Sequence, residues 1–296
     1  MASIVEFLTP YEFSPTVLIL TLLSGVLFLA GMAARRRSGE STGFWRGASF
    51  FLGLGLTYVM LQTQLDYVSQ HMFWVHRAQH LILHHLGPIL MVLAVPHEVM
   101  GSALPEGRIK SRLRGFWRHP VTRGVYRSVQ NPVVASLLFV GLIYLWLYPP
   151  LHFDAMLSRP LYKAMNWSMV ADGLLFWWLA VDPRPPRRGG LGFGTRILML
   201  WLIMLPQIAI GAYIGLHRSI LFESYQVCGR AWPVPPLVDQ QIGGLLTWIP
   251  AAMMSVLVGL IVLRMWIREN NRAHQTRRTA SEPAESTGEV SHAMDG

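Results

Sequence analysis

Six of the chain's eleven histidines fall within 27 residues, in the stretch His71-Met-Phe-Trp-Val-His76-Arg-Ala-Gln79-His80-Leu-Ile-Leu-His84-His85 and on to His97. On a helix, residues four apart share a face, so His76, His80 and His84 spread over about 80° of arc and His85 points elsewhere. Two imidazoles one turn apart can grip one metal ion, and Gln79 lies on an adjoining face. For His84 and His85 a plainer reading stays open, in which they hydrogen-bond to neighbouring helices. Asp172 sits inside a second apolar run, between Val170-Ala and Gly173-Leu-Leu-Phe-Trp-Trp178. A carboxylate at such a depth is costly and marks function by default, with a histidine of the first stretch as its natural partner. The alternative is a protonated Asp172 bonded to backbone. The candidate metal ligands are therefore His76, His80, His84 and Asp172, with His71, Gln79, Asp239 and Gln240 in supporting or partner-binding roles. Imidazole suits copper and zinc alike, and the nearby Met72 tilts the choice towards Cu(I). Only the neutral ring ligates, so affinity is expected to fall as pH drops through about 6.5.

The elements that must position these groups are membrane helices. The chain is 52% hydrophobic and only 14% charged, far below the charge content of a soluble domain. Its net charge of +9 falls in blocks between apolar runs, which speaks for topology signals and against nucleic acid. Seven runs approach spanning length, near 15–34, 47–67, 76–96, 132–149, 161–181, 196–216 and 243–266. Twenty of the 25 Lys and Arg residues lie in alternate segments, after the first, third, fifth and seventh runs. The expectation is an all-α, polytopic bundle of about seven transmembrane helices, amino terminus outside and carboxyl terminus cytoplasmic. Residues 1–269 form that domain, and 270–296, rich in Ser, Thr, Glu and Ala, form a disordered tail. Residues 1–15 contain no Lys or Arg, so the first run reads as an uncleaved helix and not a signal peptide.

This topology puts His71, His76 and His80 at the outer end of the third span, with His84 about 12 Å deeper than His76. Asp66, His152, Asp154, His217, Glu223, Tyr225, Cys228 and Asp239 share the outer side, each with the plain reading of a solvated loop residue; Asp239 can instead cap the last span. The single cysteine excludes an intrachain disulfide and a CxxC site. Segment 97–131 mixes basic and aromatic residues, as either a plain cytoplasmic loop or a stretch lying on the anionic inner leaflet. Gly189–Gly194 reads as a flexible inner loop, since no strand precedes it.

Three passages together resemble the multispan CtaG-type cytochrome c oxidase assembly proteins of bacteria, as distinct from the single-span periplasmic copper chaperone that sometimes shares the name. They are His76-Arg-Ala-Gln79-His80-Leu with Gly87-Pro88 and Ala94-Val-Pro96; Gly173-Leu-Leu-Phe-Trp-Trp178 with Asp182-Pro-Arg-Pro185; and Asp239-Gln-Gln-Ile-Gly-Gly244 leading to Trp248-Ile-Pro250. The resemblance implies a bacterial plasma-membrane factor that matures a haem-copper oxidase by handling copper, with oxidase subunits or another copper chaperone as partners. His76, Gln79, His80, Asp239 and Gln240 are the positions it carries over. Many members also have a histidine and a glutamate-histidine pair in the fifth span, where this chain reads Met165-Asn-Trp-Ser-Met-Val-Ala-Asp172. Asp172 or His152 would have to serve instead. The rival reading is an intramembrane zinc hydrolase with a His/Asp site, kept open by Ser168 four residues before Asp172. A channel would need polar groups through the whole thickness, and the inner halves of the spans are too apolar.

Overall fold

Prolines start the helices. Pro15, Pro96, Pro120, Pro132, Pro149 and Pro236 each open one, at the position where the missing N–H is not needed and the fixed φ is already helical. In the computed structural model, which describes residues 9–10, 12–105, 107–184 and 190–281, the described chain is helical throughout apart from turns and one isolated bridge between Pro10 and Thr63. The helices are α1 (Pro15–Arg37), α2 (Phe44–Gln62), α3 (Gln64–His71), α4 (Phe73–Leu93), α5 (Pro96–Ala103), α6 (Arg108–Arg118), α7 (Pro120–Val129), α8 (Pro132–Leu147), α9 (Pro149–Leu157), α10 (Arg159–Val181), α11 (Phe193–Leu216), α12 (Ser224–Val227) and α13 (Pro236–Ser281).

Among the described residues α1, α2, α11 and α13 are long and apolar enough to cross a membrane. Two bent pairs, α4 with α5 and α7 with α8, raise the number to six. The sequence suggests a seventh, α10. Its 23 residues would rise about 34 Å, enough to cross. Asn166, Ser168 and Asp172 dilute its apolar character, and Asn166 and Asp172 are buried against neighbouring helices. The outward faces of α1, α11 and α13 carry Ile19, Leu22, Leu23, Trp201, Leu205, Leu257 and Leu260, more than half exposed, as lipid-facing side chains must be. The protein is an all-α polytopic membrane protein.

The helix α4 lies at the centre, with α2, α10 and α13 packed around it. Small residues permit the approach: a Cβ on Gly173 of α10 would sit 2.6 Å from the His84 carbonyl oxygen, and one on Gly53 of α2 would sit 2.6 Å from that of Gly87. Halfway along, Ile82–Leu86 form a π-helical turn. At its C-terminal end α4 breaks at Val95, which holds a left-handed φ of 53°, and α5 leaves at 60°. Packing maintains this β-branched residue in a sparsely populated conformation, for α5 is wedged against α1 at Gly31 and Val99. The chain stays helical through Ser281. The expected boundary at 270 therefore marks where apolar residues stop, not where the helix stops; residues 282–296 of that tail, residues 1–8, and 185–189 of the inner loop lie outside the described residues.

Candidate functional site

The histidines of α4 do not form one row. The π turn begins at Ile82 and rotates the residues beyond it, so the even stepping from His76 to His80 does not extend to His84. Two polar groups result, at two depths.

The upper group surrounds His76, which is fully buried and has no hydrogen-bond partner on either ring nitrogen. Its ring centroid lies 4.3 Å from that of His80 and 5.2 Å from that of His152. The phenol rings of Tyr162 and Tyr225 are 6.1 and 6.3 Å away. His80 is already engaged on both sides: its Nδ1 lies 3.4 Å from the Arg77 guanidinium, which can only donate, and its Nε2–H donates to Asn166 Oδ1 at 3.1 Å. His152, on α9, is arranged differently. Its Nδ1–H donates to the Trp146 carbonyl at 2.8 Å, leaving the Nε2 lone pair to accept from the Tyr225 hydroxyl at 2.9 Å. That same hydroxyl is 3.8 Å from Met156 Sδ. Burial drives the His152 pKa down to about 4, opposed by the bond to Trp146, so the ring stays neutral. An imidazole anchored through Nδ1 to a backbone carbonyl, with Nε2 free to accept, is the arrangement that orients histidine ligands in metal proteins. The expected His76–His80 pair is thus adjacent as read, but His152 offers the better lone pair.

The lower group is built on the π turn. His84 Nε2 lies 2.9 Å from Asp172 Oδ2, which gives Asp172 the third-span histidine partner anticipated from sequence. These two pair with each other and do not join His76. The His84 ring also stacks on Phe139 at 4.0 Å, and its carbonyl accepts from Trp177 Nε1. His84 Nδ1 is buried without a partner, and both nitrogens of His85 and the amide of Gln207, its neighbour, make no well-formed hydrogen bond. A cavity of about 10 Å³ between Arg77, His80, His84, His85 and Thr247 has room for a single water beside them.

One cleft approaches the upper group. A cleft of about 220 Å³ is bordered by Glu12, Arg159 and Lys163 and floored by Asp66, Tyr162 and Asn166. Asn166 is the residue bonded to His80, and Tyr162 stands beside His76, so the floor of the cleft is one residue from the upper group. Asp66 sits just beyond the end of α2, where burial raises its pKa to about 6 against the opposing bonds from Tyr162 and Gln79. Gln79 donates to Asp66 Oδ1 at 2.8 Å and to the Met60 carbonyl at 2.7 Å, tying α4 to α2 and α3.

The remaining candidates are ties. Asp239 does not cap its own helix: Oδ2 accepts from Phe73 N at 3.1 Å and Oδ1 from Trp74 N at 2.8 Å, capping α4 across space, while Arg230 pairs with it at 2.5 Å. Gln240 accepts from Leu221 N at 2.7 Å and donates to the Ser219 carbonyl at 3.0 Å, holding the connection after α11. His71 bonds its own helix, to the Tyr67 carbonyl, away from both groups. Ser168 donates to the Met165 carbonyl and accepts from Trp146, so its hydroxyl is engaged and not facing Asp172 as a nucleophile's would. Among the described residues no three His, Cys, Asp or Glu side chains converge in a metal-holding arrangement.

Residues 26–269, with both polar groups inside them, match the sequence profile of the cytochrome c oxidase caa3 assembly factors, Caa3_CtaG. The chain belongs to that family. Among curated proteins it is similar to uncharacterized proteins of Mycobacterium leprae and Mycobacterium bovis, each 25% identical, over 91% and 99% of this chain. It spans only 41% and 45% of those relatives' lengths. No solved structure matches. Within the caa3 assembly factor family two of the three sequence motifs acquire physical content here: Gln79 and Asp239 brace the two ends of the first half of α4, and His76 stands unpartnered between them.

Proposed function

We propose that the protein is a cytochrome c oxidase assembly factor of the bacterial plasma membrane that holds copper at the outer end of α4 and passes it to oxidase subunits or to another copper chaperone. The observation that carries the metal is convergence around one hydroxyl: His152 Nε2 and Met156 Sδ both contact Tyr225 Oη, and the unpartnered His76 is the neighbouring ring. Two imidazoles and a thioether form a mixed soft donor set that favours Cu(I). The ion would take the lone pair that Tyr225 now occupies. His80 is the weaker ligand, because using its Nδ1 would bring the ion against the Arg77 guanidinium. His84 and Asp172 belong to the lower group and support α4 instead. The cleft floored by Asn166 and Tyr162 supplies a route that avoids lipid. Copper here is cargo and no catalysis is required; zinc remains the alternative ion.

In a deletion strain held at limiting copper, the oxidase should be present, with its haem, but underactive and copper-poor. Added copper or the wild-type gene should restore it, and a His152→Ala copy should not. Full oxidase activity in the deletion at limiting copper would overturn the reading.

A further inference from the structure

The segment between α5 and α8 is folded as two amphipathic helices whose apolar faces are exposed among the described residues. In α6, Leu113, Phe116 and Trp117 share one face at helical spacing, and Arg108, Arg112 and Arg118 lie off it. In α7, Val121 and Val125 share a face, Arg123 and Arg127 lie on the opposite side, and no residue of that helix is buried. Phe116, Trp117, Val121 and Val125 are 55–65% exposed. An edge-on contact between Trp117 and Tyr126, with centroids 5.7 Å apart, joins the two helices into one surface.

The direction of this surface is fixed. The axis of α7 is bent 68° from the span α8. The bend is locked by Asn131, whose Oδ1 accepts from Val133 N and Val134 N, and by Gln130, which donates to the Leu175 carbonyl of α10 at 3.0 Å. A helix inclined at 68° to a membrane-crossing helix lies close to the membrane plane. In that plane the valines and the arginines of α7 are separated across the helix, as a helix lying between acyl chains and water requires.

We infer that α6 and α7 form a binding surface for anionic phospholipid headgroups of the bilayer that the protein spans. Charge complementarity identifies the occupant. An apolar stripe carrying tryptophan, flanked by arginines, is the chemistry of an interfacial helix on a negatively charged leaflet. A soluble acidic protein would satisfy the arginines and leave the exposed Phe116, Val121 and Val125 in water. The surface gives the outward-facing site a foothold on the opposite leaflet and makes helix order there dependent on lipid charge.

The test is hydrogen exchange of the 108–129 amides in the full chain, reconstituted in nanodiscs of phosphatidylcholine with and without phosphatidylglycerol. Exchange should slow about tenfold with the anionic lipid and return towards the phosphatidylcholine rate at high salt. A Phe116→Ser/Trp117→Ser chain keeps every topogenic arginine and should lose the slowing; an Arg108→Gln/Arg112→Gln/Arg118→Gln chain should lose it too. Should the latter fail to insert, the lipid comparison on the wild-type chain decides alone. Equal exchange in both lipids, or slowing only when oxidase subunits are added, would overturn the inference.

Discussion

Replacing Asp239 by Asn is ordinarily a mild change at a helix cap, but here it should be severe. Both carboxylate oxygens accept backbone N–H groups at the start of α4, from Phe73 and Trp74, and the residue is only 1% exposed. An amide supplies one acceptor; its NH2 must face the other N–H group, donor against donor. The Arg230 pairing, 2.5 Å from Oδ2, also loses its charge. One charge-assisted bond is worth about 1.5–3 kcal/mol and a lost cap about 1 kcal/mol. Arg230 retains partial access to water, which limits the penalty for leaving it unpaired. The sum is about 3 kcal/mol, or an apparent melting point lower by roughly 5–10 °C in detergent, using the scaling for chains of this size. Asp239→Ala should fall similarly. The assay is thermal unfolding of purified protein followed by tryptophan fluorescence, with oxidase maturation measured alongside. An unchanged melting point with lost maturation would refute the cross-helix cap and make Asp239 part of a docking surface.

Single contacts set the other expected outcomes. Gly173→Ala places a methyl 2.6 Å from the His84 carbonyl oxygen, a backbone atom that cannot swing aside, and should lower both yield and melting temperature, whereas Gly141→Ala, which meets nothing, should not. Asp66, at about 6 when folded against 3.8 as a free group, binds its proton more tightly in the native state. Its contribution is complete below pH 3.8 and is lost as pH rises through 6. The ceiling is about 3 kcal/mol, reduced because the carboxyl borders the open cleft, and Asp66→Asn should flatten that stretch of the melting-point profile. Reporter fusions at Gly101 and Gly190 should be active only with a cytoplasmic reporter; a periplasmic signal at either would invert the orientation.

The helical membrane class was legible because charge depletion and apolar runs are local properties. So was the pairing of Asp172 with a histidine of α4, since a carboxylate at that depth has few partners. The details that depend on distant chain were not. Asp239 and Phe73 are 166 residues apart, and nothing around Asp239 distinguishes a cap for its own helix from a cap for another. His152 reads on its own as a solvated loop residue and enters as a ligand only through the family resemblance, because its burial under Phe73, Phe222 and Tyr225 exists only once α4, α9 and α12 meet. The row of His76, His80 and His84 rested on uniform helical stepping, which the π turn interrupts. Arg77 offered no signal of its own; only the packing of α13 against α4 shows it bonded to Thr247 and facing His80.

Copper titration measures the central claim most directly. Full-length protein, purified without a metal-chelating resin and titrated with Cu(I) against a competing chelator, should bind about one ion per chain. His76→Ala, His152→Ala and Met156→Leu should each weaken binding, and His80→Ala should weaken it less than His152→Ala. Wild-type affinity in a His76→Ala/His152→Ala chain that keeps its melting temperature would contradict the account.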